Sequence, residues 1–152
     1  MILRFGGEYS WLSNFFLCQV GQYPSVEHAY QSAKNIEDEH WKETCKNPAI
    51  TAGKIKRMGA KIELRDDWEE VKIPIMRYLI RTKFSKQNPE LTELLLKTGE
   101  QQIFEGNFWG DKFWGVDSRT GDGENWLGKL LMKRREELEK ERKEESNSKE
   151  LR

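Results

Sequence analysis

Histidine and cysteine are scarce in this chain, with two of each among 152 residues. Cys18 and Cys45 form no CxxC pair and have no histidine at ligand spacing, which disfavours both a structural zinc site and a disulfide framework. The sequence has no run of about 18 apolar residues, and Met1-Ile-Leu-Arg4 does not open a signal peptide. The expectation is a soluble protein of a reducing cytoplasm, without membrane contact. An excess of one charge is missing too: 26 basic residues face 26 acidic ones. Residues 135–152 carry 6 basic and 7 acidic groups, which leaves the preceding body at +1 and the tail at −1. This balance argues against long-range electrostatic capture of nucleic acid, although a local basic cluster can still hold a phosphate. Phosphate-binding glycine loops, G-x-S-x-G elbows and H-E-x-x-H motifs are also absent, which disfavours nucleoside triphosphatases, serine hydrolases and zinc proteases.

What the chain does contain is concentrated in Glu105-Gly-Asn-Phe-Trp-Gly-Asp-Lys-Phe-Trp-Gly115, followed by Asn125-Trp-Leu-Gly128. Two Trp-Gly pairs flank Asp111 in a segment too rich in glycine for an ordinary amphipathic helix. Aromatic rings on a bent backbone make a flat-walled pocket suited to a nucleobase, with a charge at its edge. The same composition also builds an ordinary core, so both readings stand at this point.

The remaining pattern is mainly helical. Residues 1–23 read as short strands and turns. Ser25 caps a helix from Val26 to about Ile36, and a charged helical stretch reaches Lys46. Asn47-Pro48 reads as a cap and first-turn proline for a helix that Gly59 closes. Asp66 or Asp67 caps the next helix, which then either kinks at Pro74 or begins its main body there and runs to about Lys86. Asn88-Pro89 starts another helix, with Leu91, Leu94 and Leu95 as its buried stripe and Gly99 as its end. Gln101 to Glu105 reads as a short strand. A last helix starts near Asn125, buries Leu127, Leu130 and Leu131, and becomes almost wholly charged. The expected organisation is one domain over residues 1–138 and a solvated, fraying tail over 139–152, where i,i+4 pairs support helix but little is buried.

Two charged constellations are candidates for chemistry. Glu27, Tyr30, Gln31 and Lys34 fall at helical spacing along one stripe, with Glu27 and Lys34 about 10 Å apart by helical rise. The same two charges also complement the helix dipole, which needs no function at all. Between Lys54 and Arg65, five basic residues (Lys54, Lys56, Arg57, Lys61, Arg65) accompany one acid, Glu63. They suit a phosphate or pyrophosphate, or simply form a solvated helix face.

Several segments together resemble the NADAR family of N-glycosidases. They are Tyr9-Ser-Trp-Leu-Ser-Asn-Phe15, Tyr23-Pro-Ser-Val-Glu-His-Ala-Tyr-Gln-Ser-Ala-Lys34, Lys56-Arg-Met-Gly59, Leu64-Arg-Asp-Asp-Trp68 and Lys83-Phe84. They continue with Leu95-Leu-Lys-Thr-Gly99, Asp111-Lys-Phe-Trp-Gly115 and Asn125-Trp-Leu-Gly-Lys-Leu-Leu-Met132. The segments occur in family order and cover residues 5 to about 138. An arginine that often follows the Gly59 position in the family is Ala60 here, and Pro74 interrupts a helix that usually reads as continuous.

The resemblance implies a mainly α fold (α+β with a few short strands) in one compact domain. It implies hydrolysis of the bond between a ribose anomeric carbon and an amine, without metal or cofactor. The implied substrates are ribosylamino-pyrimidine intermediates of riboflavin synthesis, or ADP-ribosylated guanine in nucleic acid, with no obligate protein partner. By the same resemblance Glu27, Lys34 and Asp111 become candidate catalytic groups. Asn14, Phe15, Tyr30, Gln31, Lys56, Arg65, Trp68, Trp114, Gly115, Asn125 and Gly128 become candidate binding positions.

Departure of the amine develops oxocarbenium character, so Glu27 or Asp111 is expected to stabilise charge or activate water while the other protonates the leaving group. Alternatively the glycosylamine opens to an imine and Lys34 attacks to form a Schiff base, which requires a lowered lysine pKa. Trp114, with Trp109 and Trp126 as further choices, would stack the base or ribose, and Asn14 and Asn125 would hydrogen-bond hydroxyls or phosphate. The competing classes are a non-catalytic module that binds ADP-ribose and an interaction protein that works through its charged C-terminal helix.

Overall fold

The computed structural model describes residues 1–151, which form two compact units. One unit is Gly6–Pro89; the other joins Met1–Phe5 to the chain from Glu90 onward. The expected mainly helical architecture is observed, with a single pair of very short strands among the described residues.

The first unit is built around α1 (Val26–Ser32), every residue of which is buried. Ser25 caps it by accepting from the His28 amide at 3.1 Å. The imidazole then locks the helix to the chain at Ile50. His28 Nε2 lies 2.7 Å from the Ile50 carbonyl and Nδ1 lies 2.6 Å from Ser25 Oγ. A carbonyl only accepts, so Nε2 is the donor to Ile50. Packed on α1 are α2 (Glu39–Lys46), α3 (Ala52–Gly59) and α4 (Trp68–Lys83). Trp41, Cys45 and Ile55 form a buried cluster with Tyr23, Ile50, Met58 and Ile62 around it. The Trp41 indole N–H donates to the Gln31 carbonyl at 2.8 Å, tying α2 to the end of α1.

Two boundaries and the placement of one proline differ from the sequence expectation. The first helix ends at Ser32 rather than near Ile36, with Ala33 as its cap. The Gln31 carbonyl there accepts from both the Ala33 and Lys34 amides, a tightened last turn, and Asn35 Oδ1 then accepts from the Glu37 amide. Asn47-Pro48 does not open α3. Asn47 forms its own turn, accepting from the Ala49 amide through Oδ1 and the Ile50 amide through its carbonyl. Thr51 caps the helix instead, accepting from the Lys54 amide. Pro74 lies inside an uninterrupted α4 on an exposed position, where the carbonyl it leaves without a helical donor can be hydrated.

In the second unit, α5 (Pro89–Lys97) begins with proline in its first turn, and Gly99 follows at φ +63°. The strand expected at 101–105 reduces to a parallel bridge between Ile2 and Ile103. The strands proper are β1 (Gly106–Asn107) and β2 (Val116–Asp117), parallel with Gly106 opposite Val116. α6 (Trp126–Glu150) buries Leu127, Leu130, Leu131, Arg134, Arg135 and Leu138, a stripe at helical spacing. Buried Arg135 donates to Thr98 Oγ1 at 2.8 Å. From Glu139 on, every described residue is exposed, and an Arg142–Glu93 pair links the outer part of the helix to α5.

Candidate active site

Glu27 is the centre of the first unit's polar cluster. Its first-turn position on a fully buried helix leaves it only 6% exposed. Its amide donates to the Asn14 carbonyl at 3.0 Å, and its Oε1 accepts from Gln31 Nε2 at 2.7 Å. Burial pushes the Glu27 carboxyl above the ordinary range, while the Gln31 bond and the charges of Lys56 and Lys34 pull it back. Lys34 responds in the opposite sense: burial lowers its ammonium and Lys56 lowers it further, against the pull of Glu27. The buried carboxylate thus feels the charges of two lysines, half-buried Lys34 and exposed Lys56. Lys34 does not stand on α1, as the spacing suggested. It lies on the turn beyond it, held by its amide on the Gln31 carbonyl (3.2 Å) and by the Arg65 amide on its own carbonyl (2.8 Å).

Around this trio the structure gathers Asn14, Phe15 and Gln31. The Lys56 ammonium sits 5.7 Å from the centre of the half-exposed Phe15 ring, within cation–π range. Asn14 Nδ2 makes only a 3.6 Å contact to Met76 Sδ, and its buried Oδ1 has no hydrogen-bond partner. Gln31 Oε1 is likewise buried and unpartnered.

Tyr30 and Trp68, expected as binding positions, pack on each other inside the unit with ring centres 5.1 Å apart. The Arg65 guanidinium is engaged as a fork by Asp67, at 2.6 and 3.1 Å. Its clearest link to the cluster is therefore its backbone bond to Lys34.

The second unit holds the glycine- and tryptophan-rich segment, and there polar side chains bond to backbone. Buried Asn107 donates through Nδ2 to the Asp111 carbonyl (2.8 Å) and accepts from the Asp111 amide (3.0 Å). This clamp closes a loop that leaves Phe108 and Trp109 exposed and turns at Gly110, φ +86°. Asp111 Oδ1 accepts from the amides of Phe113 (3.1 Å) and Trp114 (2.9 Å). Trp114 is half-buried and edge-on to Phe113, with centres 4.8 Å apart. Asn125, in a left-handed conformation at φ 54° and 5% exposed, accepts from the Glu105 amide and donates to the Ile103 carbonyl. A Cβ on Gly128 would lie 2.2 Å from the Ile103 carbonyl oxygen, and one on Gly115 would lie 2.2 Å from that of Glu105. Both glycines are required by close backbone approach.

Lys83 carries a role that the motif reading did not assign. It is fully buried, its Nζ donates to the Ser13 carbonyl at 2.8 Å, and burial pulls its ammonium down to about 8. It thereby anchors the residue next to Asn14. The signal was present: Lys83 continues the buried α4 stripe of Met76, Leu79 and Ile80 at i, i+3, i+4 and i+7. The two thiols are shifted upward by burial, Cys45 to about 12, which leaves neither suited to act as a thiolate near neutrality. Among the described residues, no group of three or more His, Cys, Asp or Glu is placed to hold a metal ion, and no helix is long and apolar enough to cross a membrane.

Comparison with known proteins places this chain in a family. Residues 5–139 match the family described as NADAR domain. The chain is 37% identical over 117 residues to N-glycosidase YbiA of Escherichia coli (strain K12), covering 76% of this chain and 71% of that protein. It is 35% identical over 137 residues, 86% of this chain, to a riboflavin biosynthesis protein of Vibrio vulnificus (strain YJ016). A chloroplastic riboflavin biosynthesis protein of Zea mays is 36% identical over 126 residues, 76% of this chain. The chain spans only 36% and 20% of the lengths of those last two proteins. The NMR structure of E. coli YbiA matches with a TM-score of 0.80 at 34% identity, covering 93% of this chain and 87% of that one.

Proposed function

The chain belongs to the NADAR domain family, and from that premise we propose that it is an N-glycosidase that hydrolyses the bond between a ribose anomeric carbon and an amine. The observation that carries the reading is the buried Glu27 carboxylate facing Lys34 and Lys56, with Glu27 shifted up and Lys34 shifted down. Those opposed shifts bring an acid and an amine closer to neutrality, where proton transfer and nucleophilic attack are efficient.

The exocyclic amine of a glycosylamine allows the ring to open to an imine. The Lys34 amine then adds to the former anomeric carbon, and the substrate amine departs after taking up a proton. Water hydrolyses the resulting lysine Schiff base to the free sugar and restores Lys34. Glu27 carries the protons between these steps and stabilises the positive iminium. In the direct route, water replaces Lys34 as the nucleophile and Glu27 activates it. Lys56, beside Phe15, is proposed to hold the sugar phosphate.

The riboflavin wording in the names of two relatives supports a ribosylamino-pyrimidine phosphate as the first substrate class to test. The experiment is turnover of that compound by wild type and Lys34→Ala, with an oligonucleotide bearing ADP-ribosylated guanine as the second substrate. Borohydride is added to trap an imine. Loss of turnover in Lys34→Ala together with a trapped sugar adduct on wild type supports the Schiff-base route. Loss without an adduct supports direct hydrolysis. Cleavage of the oligonucleotide alone moves the substrate to ADP-ribosylated nucleic acid. ADP-ribose binding without cleavage of either compound would replace the enzyme with a binding module.

A further inference from the structure

Gly59, the last residue of α3, lies with its Cα against the side chain of Gln31 on α1. A Cβ there would sit 1.9 Å from Gln31 Oε1 and 2.7 Å from its Cδ, so no side chain fits unless the amide moves. Gly59 is not among the glycines with positive φ; the constraint is spatial rather than conformational. The helix cannot easily yield either. Gln31 is 2% exposed, and its carbonyl accepts from the Trp41 indole at 2.8 Å and the Lys34 amide at 3.2 Å.

The amide itself is arranged asymmetrically. Nε2 donates to Glu27 Oε1 at 2.7 Å, while Oε1, buried on the Gly59 side, receives no hydrogen bond. Leaving a buried acceptor unpaired is costly. Turning the amide over would be worse, because it would set an amide oxygen against a carboxylate. Resting on the reading of Glu27 as the proton-handling group, we propose that Gly59 is a positioning residue for the Glu27 carboxylate, acting through the Gln31 amide that its bare Cα admits. The Gln31 bond is the largest influence opposing the upward push of burial on Glu27. Gly59 thereby keeps a buried carboxylate ionised over a wider pH range than its burial alone would allow.

The test is the titration of the Glu27 side-chain carboxyl followed by 13C NMR, in wild type, Gly59→Ala, Gln31→Met, Gln31→Ala and the double variant that combines Gly59→Ala with Gln31→Ala. The midpoint is expected to rise in Gly59→Ala and in Gln31→Met. In the Gln31→Ala background it should not move further when Gly59→Ala is added, because the new methyl then occupies vacated space. The acidic limb of turnover should move to higher pH in the same variants, with kcat falling up to about 100-fold.

An unmoved midpoint in Gln31→Met or in Gly59→Ala overturns the proposal. So does an equal shift from Gly59→Ala in the Gln31→Ala background. If Gly59→Ala alone fails to fold, the double variant must fold and titrate like Gln31→Ala; its failure to fold would place the obstruction elsewhere and overturn the proposal too. The titration uses no substrate, so its outcome is separable from the function reading. That reading fails instead if Glu27→Gln retains full turnover.

Discussion

Two polar regions of this protein look alike in composition and are used in opposite ways. Around α1, side chains meet side chains: Gln31 holds Glu27, Lys56 and Lys34 bear on the same carboxylate, and Asn14 and Gln31 each keep a buried oxygen without a partner. In the segment from Glu105 to Gly128, side chains meet backbone. Asn107, Asp111 and Asn125 spend their hydrogen-bonding groups on amides and carbonyls of their own neighbourhood. The second arrangement stabilises a shape. The first leaves charge and hydrogen-bonding capacity unspent in a buried place, at a cost to stability, and that unspent capacity is what a substrate can use.

The largest contrast is expected at Glu27. Glu27→Gln should lower turnover by about 100- to 10,000-fold without lowering stability. A carboxyl raised by burial favours folding below the unfolded value of 4.5, and that contribution is lost as pH rises through the raised folded value. The variant should therefore be more resistant to urea than wild type above that window, with the difference closing toward low pH. A variant less stable at neutral pH would show that Glu27 also serves as structure, and the contrast between the regions would weaken.

Next in size is the pair of asparagines. Asn125→Ala strands the Glu105 amide and the Ile103 carbonyl and should cost about 2–4 kcal/mol in urea denaturation. Asn14→Ala removes only a weak contact to Met76 and an unpartnered oxygen, and should cost less than about 1 kcal/mol while lowering turnover. Equal stability costs would break the comparison.

Lys83 sharpens it by pH. A buried lysine lowered to about 8 from 10.5 contributes stability above 10.5 that is lost as pH falls through about 8. Wild type should gain stability relative to Lys83→Met as pH rises across that window, read by denaturation at several pH values. The smallest effect is expected from deleting residues 139–152. The helix end would lose the exposed Arg142–Glu93 pair and the Glu141 carboxylate 3.5 Å from Arg134, which keeps Glu137 at 3.8 Å, so the cost should stay near about 1 kcal/mol by the same measurement.

The helical order was legible because caps and prolines act locally. Ser25, Pro89 and Gly99 did what their residue types predict. The errors fell where one signal had two outlets. Asn47 spent its side chain on a turn, so Thr51 became the cap. Gln31 drew three donors onto one carbonyl, which ended α1 early and moved Lys34 onto the following turn. Helical spacing placed Glu27 and Gln31 on one stripe, and the family resemblance, not spacing, named Lys56 as a binding position. The directions of the cluster's pKa shifts were not readable, because they depend on burial summed over distant segments. Nor does sequence reveal that Gln31 faces a glycine on another helix, or that Asn125 is wholly engaged by backbone. Those facts belong to packing.

The most direct measurement is release of free sugar phosphate from a ribosylamino-pyrimidine phosphate, and of ADP-ribose from ADP-ribosylated guanine, by wild type and Glu27→Gln side by side at one pH. Wild type should turn over at least one compound, and Glu27→Gln, while remaining folded, should lose nearly all of that turnover. Full turnover by Glu27→Gln, or cleavage of neither compound by a folded wild type, would contradict it.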